Sequence, residues 1–201
     1  GFDEYYAVPY GEKTAVNGRW LPGPGLELFQ AVEAKIGGKR IIAEDLGFLT
    51  PSVMQLLKDS GFPGMKVLQF AFDSREESNY LPHTYPRNCV VYTGTHDNDT
   101  TKGWYHTAGK STRQFAKEYM YKPRLDEDTL AEDFIAMAMG SVADLCIVPM
   151  QDYLGLGSSA RINTPSTLGG NWEWRMKTGT PDEETVQEMA RMTRVYGRMR
   201  R

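Results

Sequence analysis

Histidine and cysteine are both scarce in this 201-residue chain, with three of the first (His83, His96, His106) and two of the second (Cys89, Cys146). Two cysteines cannot build a disulfide scaffold, and they do not form a Cys-x-x-Cys pair. Each stands at the head of a short apolar run, where a small buried residue is the ordinary explanation, so a reducing, cytoplasmic setting is expected. The histidines show no His-x-His or His-x-x-x-His spacing, and no metal is expected. No apolar run approaches the length needed to span a bilayer, which gives no membrane partner. A formal net charge of −3 supplies no attraction for nucleic acid or an anionic surface. An initiating methionine is lacking as well. The chain opens Gly-Phe-Asp-Glu, so Gly1 is not expected to be a natural start, and a leader on a longer parent would lie out of view.

What is present suits one globular core: 40% hydrophobic and 24% charged residues in a length ordinary for a single domain. Eleven tyrosines, eight phenylalanines and four tryptophans stand out. Flat rings suit the faces of sugars, although core packing is the default role for most of them.

Short apolar runs alternate with helical stretches, the pattern of parallel βα units. Strands are expected at 40–43, 65–72, 89–93 and 146–150. Thr50-Pro51 reads as an N-cap followed by proline at the first helical position; Val53, Leu56 and Leu57 form the apolar stripe of that helix, and Gly61 ends it. Leu26, Phe29, Val32 and Ile36 mark an earlier amphipathic helix led in by Pro22-Gly23-Pro24-Gly25. A helix is expected over about 127–144, carrying Leu130, Phe134, Ile135 and Ala138 on one side. A last helix follows Pro181, with Asp182, Glu183 and Glu184 in its first turn and Arg198, Arg200 and Arg201 in its last, matching the helix dipole. There is no repeat, low-complexity segment or linker, so 1–201 is read as one structural unit with no second domain.

Four strands alone fit a small doubly wound sheet. The polar residues point elsewhere, because carboxylates crowd the C-terminal ends of two strands, which is where (β/α)8 barrels place their chemistry. Glu44 follows an apolar strand directly. A carboxylic acid partly withdrawn from water at a pocket rim holds its proton and can deliver it to a leaving oxygen; an N-cap or ion-pair carboxylate is the competing reading. Thr95-His96-Asp97-Asn98-Asp99 can present donors and acceptors to a polyhydroxylated ligand. A divalent-metal phosphoesterase site and a self-bonded Asn/Asp turn compete with that reading. Arg161-Ile162-Asn163-Thr164-Pro165 and Asn171-Trp172-Glu173-Trp174-Arg175 also fit a sugar site, although Trp172 and Trp174 are expected to anchor the final helix. Phe70 and Phe72 fall on a common strand face, where a core role is the default.

The ordered succession of Ile-Ala-Glu-Asp-Leu-Gly, Gly-Met-Lys-Val-Leu-Gln-Phe-Ala-Phe, Tyr-Thr-Gly-Thr-His-Asp-Asn-Asp-Thr and Arg-Ile-Asn-Thr-Pro resembles the amylomaltase (4-α-glucanotransferase) family, glycoside hydrolase family 77 of the α-amylase clan. The resemblance runs through essentially the whole chain, including the opening Gly-Phe-Asp-Glu-Tyr-Tyr and Asn-Gly-Arg-Trp. It implies a partial TIM (β/α)8 barrel made of about strands five to eight, the C-terminal half of one catalytic domain. It implies Glu44 as general acid/base and Asp97 as the transition-state-stabilising aspartate. His96, Asp45 and Asn163 become substrate contacts, and Phe70 a stacking ring. The family's nucleophilic aspartate sits in a segment ending Arg-Gly-Phe, whose end matches Gly1-Phe2. The nucleophile and the first four strands are therefore expected upstream of Gly1, and the chain alone is expected to be inactive. The implied reaction is retaining transfer of α-1,4-glucan segments to the 4-hydroxyl of glucose, maltose or a longer malto-oligosaccharide, with no cofactor. Hydrolysis by the same carboxylates, and glucan binding without catalysis, are the alternatives.

Overall fold

The computed structural model describes residues 1–38, 40–47, 49–73 and 78–199. It is an α/β structure of two compact units, Gly1–Met65 and Lys66–Arg201.

The first unit opens with an antiparallel hairpin, β1 (Glu4–Ala7) and β2 (Arg19–Pro22), in register Glu4↔Pro22 to Ala7↔Arg19. Tyr6 and Trp20 meet edge to face across it at 5.3 Å. Two helices follow, α1 (Gly25–Ile36) and α2 (Pro51–Ser60). Phe29 on α1 packs between Phe2 and Phe62, with centroids 5.2 and 5.1 Å away. Of the expected α1 stripe, Leu26, Phe29 and Val32 are partly covered while Ile36 is exposed. The ends of α2 are built as its sequence implies. Thr50 Oγ1 accepts the Val53 N–H at 3.3 Å, Pro51 occupies the first turn, and Gly61 closes the helix in the left-handed conformation at φ 68°.

The strand expected at 40–43 does not form. Ala43 N–H reaches the Pro63 carbonyl at 2.9 Å. The donor that would continue a parallel ladder, Met65 N–H, goes instead to the Asp45 carboxylate at 2.5 Å, so the pairing stops at one bond.

The sheet of the second unit has the order β3–β4–β5: β3 (Gly64–Val67), in which the unit boundary falls, β4 (Cys89–Tyr92) and β5 (Leu145–Ile147). β4 and β5 are parallel, with Val90↔Leu145, Val91↔Cys146 and Tyr92↔Ile147. Two strands are shorter than the sequence pattern suggests. Residues 68–70 turn into a 3₁₀ helix, and the run through 150 breaks at Pro149 to start a helix. Phe70 and Phe72 therefore part company: Phe70 is 40% exposed and Phe72 fully buried.

The helices of this unit are α3 (Thr101–Thr107), α4 (Lys110–Tyr119), α5 (Leu130–Met139), α6 (Met150–Tyr153) and α7 (Glu183–Val195). Leu130, Phe134, Ile135 and Ala138 are buried on α5 as expected. Phe72 is the hub of the core. Its ring meets Phe134 at 5.6 Å, Tyr119 at 5.9 Å, Trp104 at 6.0 Å and Phe115 at 6.3 Å. Asp182 caps α7 by accepting the Thr185 N–H at 2.9 Å. That helix stops at Val195, so Arg198 is not in its last turn. Arg198 instead folds onto the C-terminal end of α5, donating to the carbonyls of Met139, Ser141 and Ala143 at 2.7 to 3.0 Å. It thereby satisfies acceptors that a helix terminus leaves open. Arg200 and Arg201 lie outside the described residues. Among the described residues no helix is long and apolar enough to cross a membrane.

Candidate active site

The loop after β4 is shaped by its own side chains. Asn98 Oδ1 accepts from the Thr95 N–H at 2.9 Å and from Thr95 Oγ1 at 2.8 Å, while Asn98 N–H returns to the Thr95 carbonyl at 3.2 Å. The self-bonded turn anticipated from the sequence is thus present, and Asn98 builds it. Thr100 then caps α3, its Oγ1 accepting the Gly103 N–H at 3.0 Å. His96 and Asp97 stand at the tip with side chains about half exposed (49% each).

A second segment closes on this tip. Asn163 Nδ2 donates to Asp97 Oδ1 at 2.6 Å, and Asn163 N–H donates to the His96 carbonyl at 3.1 Å. His96 Nε2 lies 3.3 Å from the same Oδ1. Arg161 joins the two segments from below, with Nη2 on the Asp97 carbonyl at 2.6 Å and Nε on the Asn163 carbonyl at 2.8 Å. Among the described residues both side-chain contacts of Asp97 fall on Oδ1, which leaves Oδ2 without a side-chain partner there. Such an arrangement holds a carboxylate in place, which suits stabilisation of a developing positive charge.

Trp172 completes the cluster, against expectation. Its indole lies 5.1 Å from the His96 ring at 37°, and the Trp172 backbone N–H donates to the Ile162 carbonyl at 2.7 Å. Trp172 adopts a left-handed φ of 64°, unusual for a bulky residue. Its ring partner is thus His96, where the sequence reading assigned it to the final helix. The signal available was the polar-aromatic Asn-Trp-Glu-Trp-Arg run itself.

Behind the tip is a shallow pocket lined by Thr95, Asn98, Asp99, Thr100, Pro149, Gln151, Ala160, Arg161 and Ile162. Asp99, at the wall of this pocket, is tied into the fold. Its Oδ2 accepts from Ser158 Oγ at 2.7 Å and its Oδ1 from Thr100 N–H at 2.8 Å, and Gln69 Nε2 reaches its carbonyl at 2.7 Å. Beneath the loop, Asp152 is almost fully buried, a residue the sequence reading passed over. Burial pushes its carboxyl above the usual range, although the bonds from Thr93 and Thr101 act in the opposite direction.

In the first unit Glu44 is exposed, not partly withdrawn from water as expected; the ladder that would have framed it is missing. Asp45, beside it, is buried, and its Oδ1 accepts the Met65 N–H at 2.5 Å. The carboxylate packs over Gly64, where a Cβ would fall 2.5 Å from Oδ2, so a side chain at that position would have to displace the carboxylate. Phe70 presents an exposed ring edge-on to Tyr80 at 5.5 Å, and Lys66 Nζ lies 5.4 Å above the Tyr80 ring. His96, Asp97 and Asn163 are therefore brought into contact, whereas Asp45 is committed to the start of β3 and Phe70 to an aromatic pair. Among the described residues no three His, Cys, Asp or Glu side chains converge as a metal site requires.

The sequence profile of the glycoside hydrolase family 77 4-alpha-glucanotransferases matches residues 1–181. A 4-alpha-glucanotransferase of Clostridium butyricum is 48% identical over 98% of the chain, and a chloroplastic/amyloplastic one of Solanum tuberosum 45% identical over 99%. The chain spans 40% of the length of the first relative and 35% of the second. Among solved structures, the amylomaltase of Streptococcus agalactiae in complex with acarbose superposes with a TM-score of 0.89 at 36% identity, over 98% of this chain and 39% of that one.

Proposed function

The chain belongs to the glycoside hydrolase family 77 4-alpha-glucanotransferases, and we propose that it carries the acid/base and charge-stabilising side of a retaining α-1,4-glucan transfer. On this reading it is about strands five to eight of one (β/α)8 catalytic domain, and the nucleophilic aspartate comes from outside these residues. That aspartate attacks the anomeric carbon while Glu44 protonates the departing glycosidic oxygen, leaving a covalent glucosyl-enzyme. Glu44, now a base, takes the proton of an acceptor 4-hydroxyl, and that oxygen displaces the enzyme carboxylate. The donors are α-1,4-glucans and malto-oligosaccharides, and glucose or maltose serves as acceptor. The 201 residues alone are inactive, because a retaining reaction needs two carboxylates across the anomeric carbon, roughly 5–5.5 Å apart.

The observation that carries this reading is the convergence of Asn163 and His96 on one oxygen of a half-exposed Asp97. A carboxylate fixed in this way can bind hydroxyls of a distorted sugar and gain strength as positive charge develops on the ring. Neutralising it removes an interaction made mainly in the transition state. In the complete protein that carries these residues, Asp97→Asn is expected to lower kcat for maltotriose disproportionation by at least about 10²-fold, with KM little changed. A rise confined to KM contradicts the role and reduces Asp97 to ground-state binding. Asp45 and Phe70 remain candidate sugar contacts on the same reading, with Trp172 as a wall beside His96.

A further inference from the structure

We infer that Asp152 is a positioning residue for the Asp97 loop: its carboxylate ties together the two ends of residues 94–100 and so fixes where Asp97 and His96 stand. The inference rests on the proposed role of Asp97. Asp152 enters from α6, immediately after β5, and is 3% exposed. Its Oδ2 accepts from Thr93 Oγ1 at 2.5 Å, at the residue just before the loop. The same Oδ2 accepts from Thr101 Oγ1 at 2.9 Å, and Oδ1 accepts the Thr101 N–H at 2.8 Å, at the residue just after it. Thr93 and Thr101 are themselves fully buried.

Three donors on one carboxylate therefore bracket the segment that carries the candidate site. No ion pair to Asp152 exists among the described residues, and the like charge of Asp99 opposes its ionised form. A buried charge without a cation is costly to keep, and an apolar residue would fill the same space without that cost. What the carboxylate provides is geometry, since it clamps both loop ends to α6 while the loop's own turn fixes the tip. Among the described residues the Asp152 carboxylate bonds to Thr93 and Thr101 and not to His96 or Asp97, so its influence passes through the backbone of the loop.

A double-mutant cycle on maltotriose disproportionation by the complete protein separates this role from a general one. Thr93→Val exchanges one donor hydroxyl for a methyl and is the mild variant. Asp152→Asn keeps the shape but turns one of two acceptor oxygens into a donor. Asp152→Asn is expected to lower kcat about 10²-fold, on the order of what a displacement of about 1 Å costs, and Thr93→Val less, both with KM nearly unchanged. Neither change should lower kcat further in an Asp97→Asn background, because the loop then has little left to position. Equal fold losses in both backgrounds, or unchanged kcat in both single variants, would overturn the inference. Should Asp152→Asn fail to fold, Thr93→Val carries the same cycle. If Asp97→Asn by itself leaves kcat intact, the proposed function falls and this inference falls with it.

Discussion

The carboxylate proposed to stabilise charge and the one proposed to contact sugar are held in opposite ways. Asp97 is half exposed and receives side-chain contacts on one oxygen, whereas Asp45 is buried with a backbone donor and a glycine beneath it. The first can respond to a ligand; the second already serves the start of a strand. The cysteines make a parallel case. Cys89 is fully buried with Sγ on the Pro86 carbonyl at 3.0 Å, and burial pushes the half-buried Cys146 thiol up to about 11 despite Arg198 nearby. Because the thiolate is the reactive form, iodoacetamide at pH 8 is expected to label neither residue in the folded protein and both in denaturant. Stoichiometric labelling of the native chain, read by mass spectrometry, contradicts this. The polar runs that hold His96, Asp97 and Asn163 were legible in the sequence, whereas the roles of the individual residues came from the family resemblance. Asp152 was not legible, since its donors lie 51 and 59 residues away and nothing local marks a lone aspartate in Met-Gln-Asp-Tyr.

Among the elements, helices were easier to read than strands. The ends of α2 follow from Thr50, Pro51 and Gly61 by local chemistry alone, and the apolar stripe of α5 is buried residue for residue. Strand limits depend on partners that the local sequence does not reveal. Residues 40–43 have the composition of a strand and meet a proline carbonyl, and 68–70 continue an apolar run yet coil into a 3₁₀ turn. Arg198 illustrates the same limit: a basic residue placed after α7 by charge pattern serves the end of α5 instead. The Thr50 cap offers a direct check on the local argument. Thr50→Ala removes the acceptor for Val53 N–H and is expected to cost about 1 kcal/mol, lowering the urea midpoint without changing the slope. An unchanged midpoint would mean that the cap bond contributes nothing to stability.

At the scale of the whole molecule, apolar burial is uneven. Every fully buried hydrophobic side chain among the described residues lies in Lys66–Arg201, while Gly1–Met65 leaves Phe2, Tyr5, Tyr6 and Trp20 between 41% and 64% exposed. The candidate charge-stabilising cluster thus sits in the unit with the aromatic core, and Glu44 in the unit without one. On the proposed reading the remainder of a catalytic barrel is the natural cover for those exposed rings. The central claim is that Glu44 exchanges the proton in both halves of a glucosyl transfer. The most direct test is the conversion of maltotriose into longer oligosaccharides by the complete protein bearing Glu44→Gln, a change that keeps shape and hydrogen bonding but cannot deliver a proton. The account predicts a rate lower by about 10²–10⁴-fold with the fold intact. Transfer products formed at a near-normal rate would contradict it.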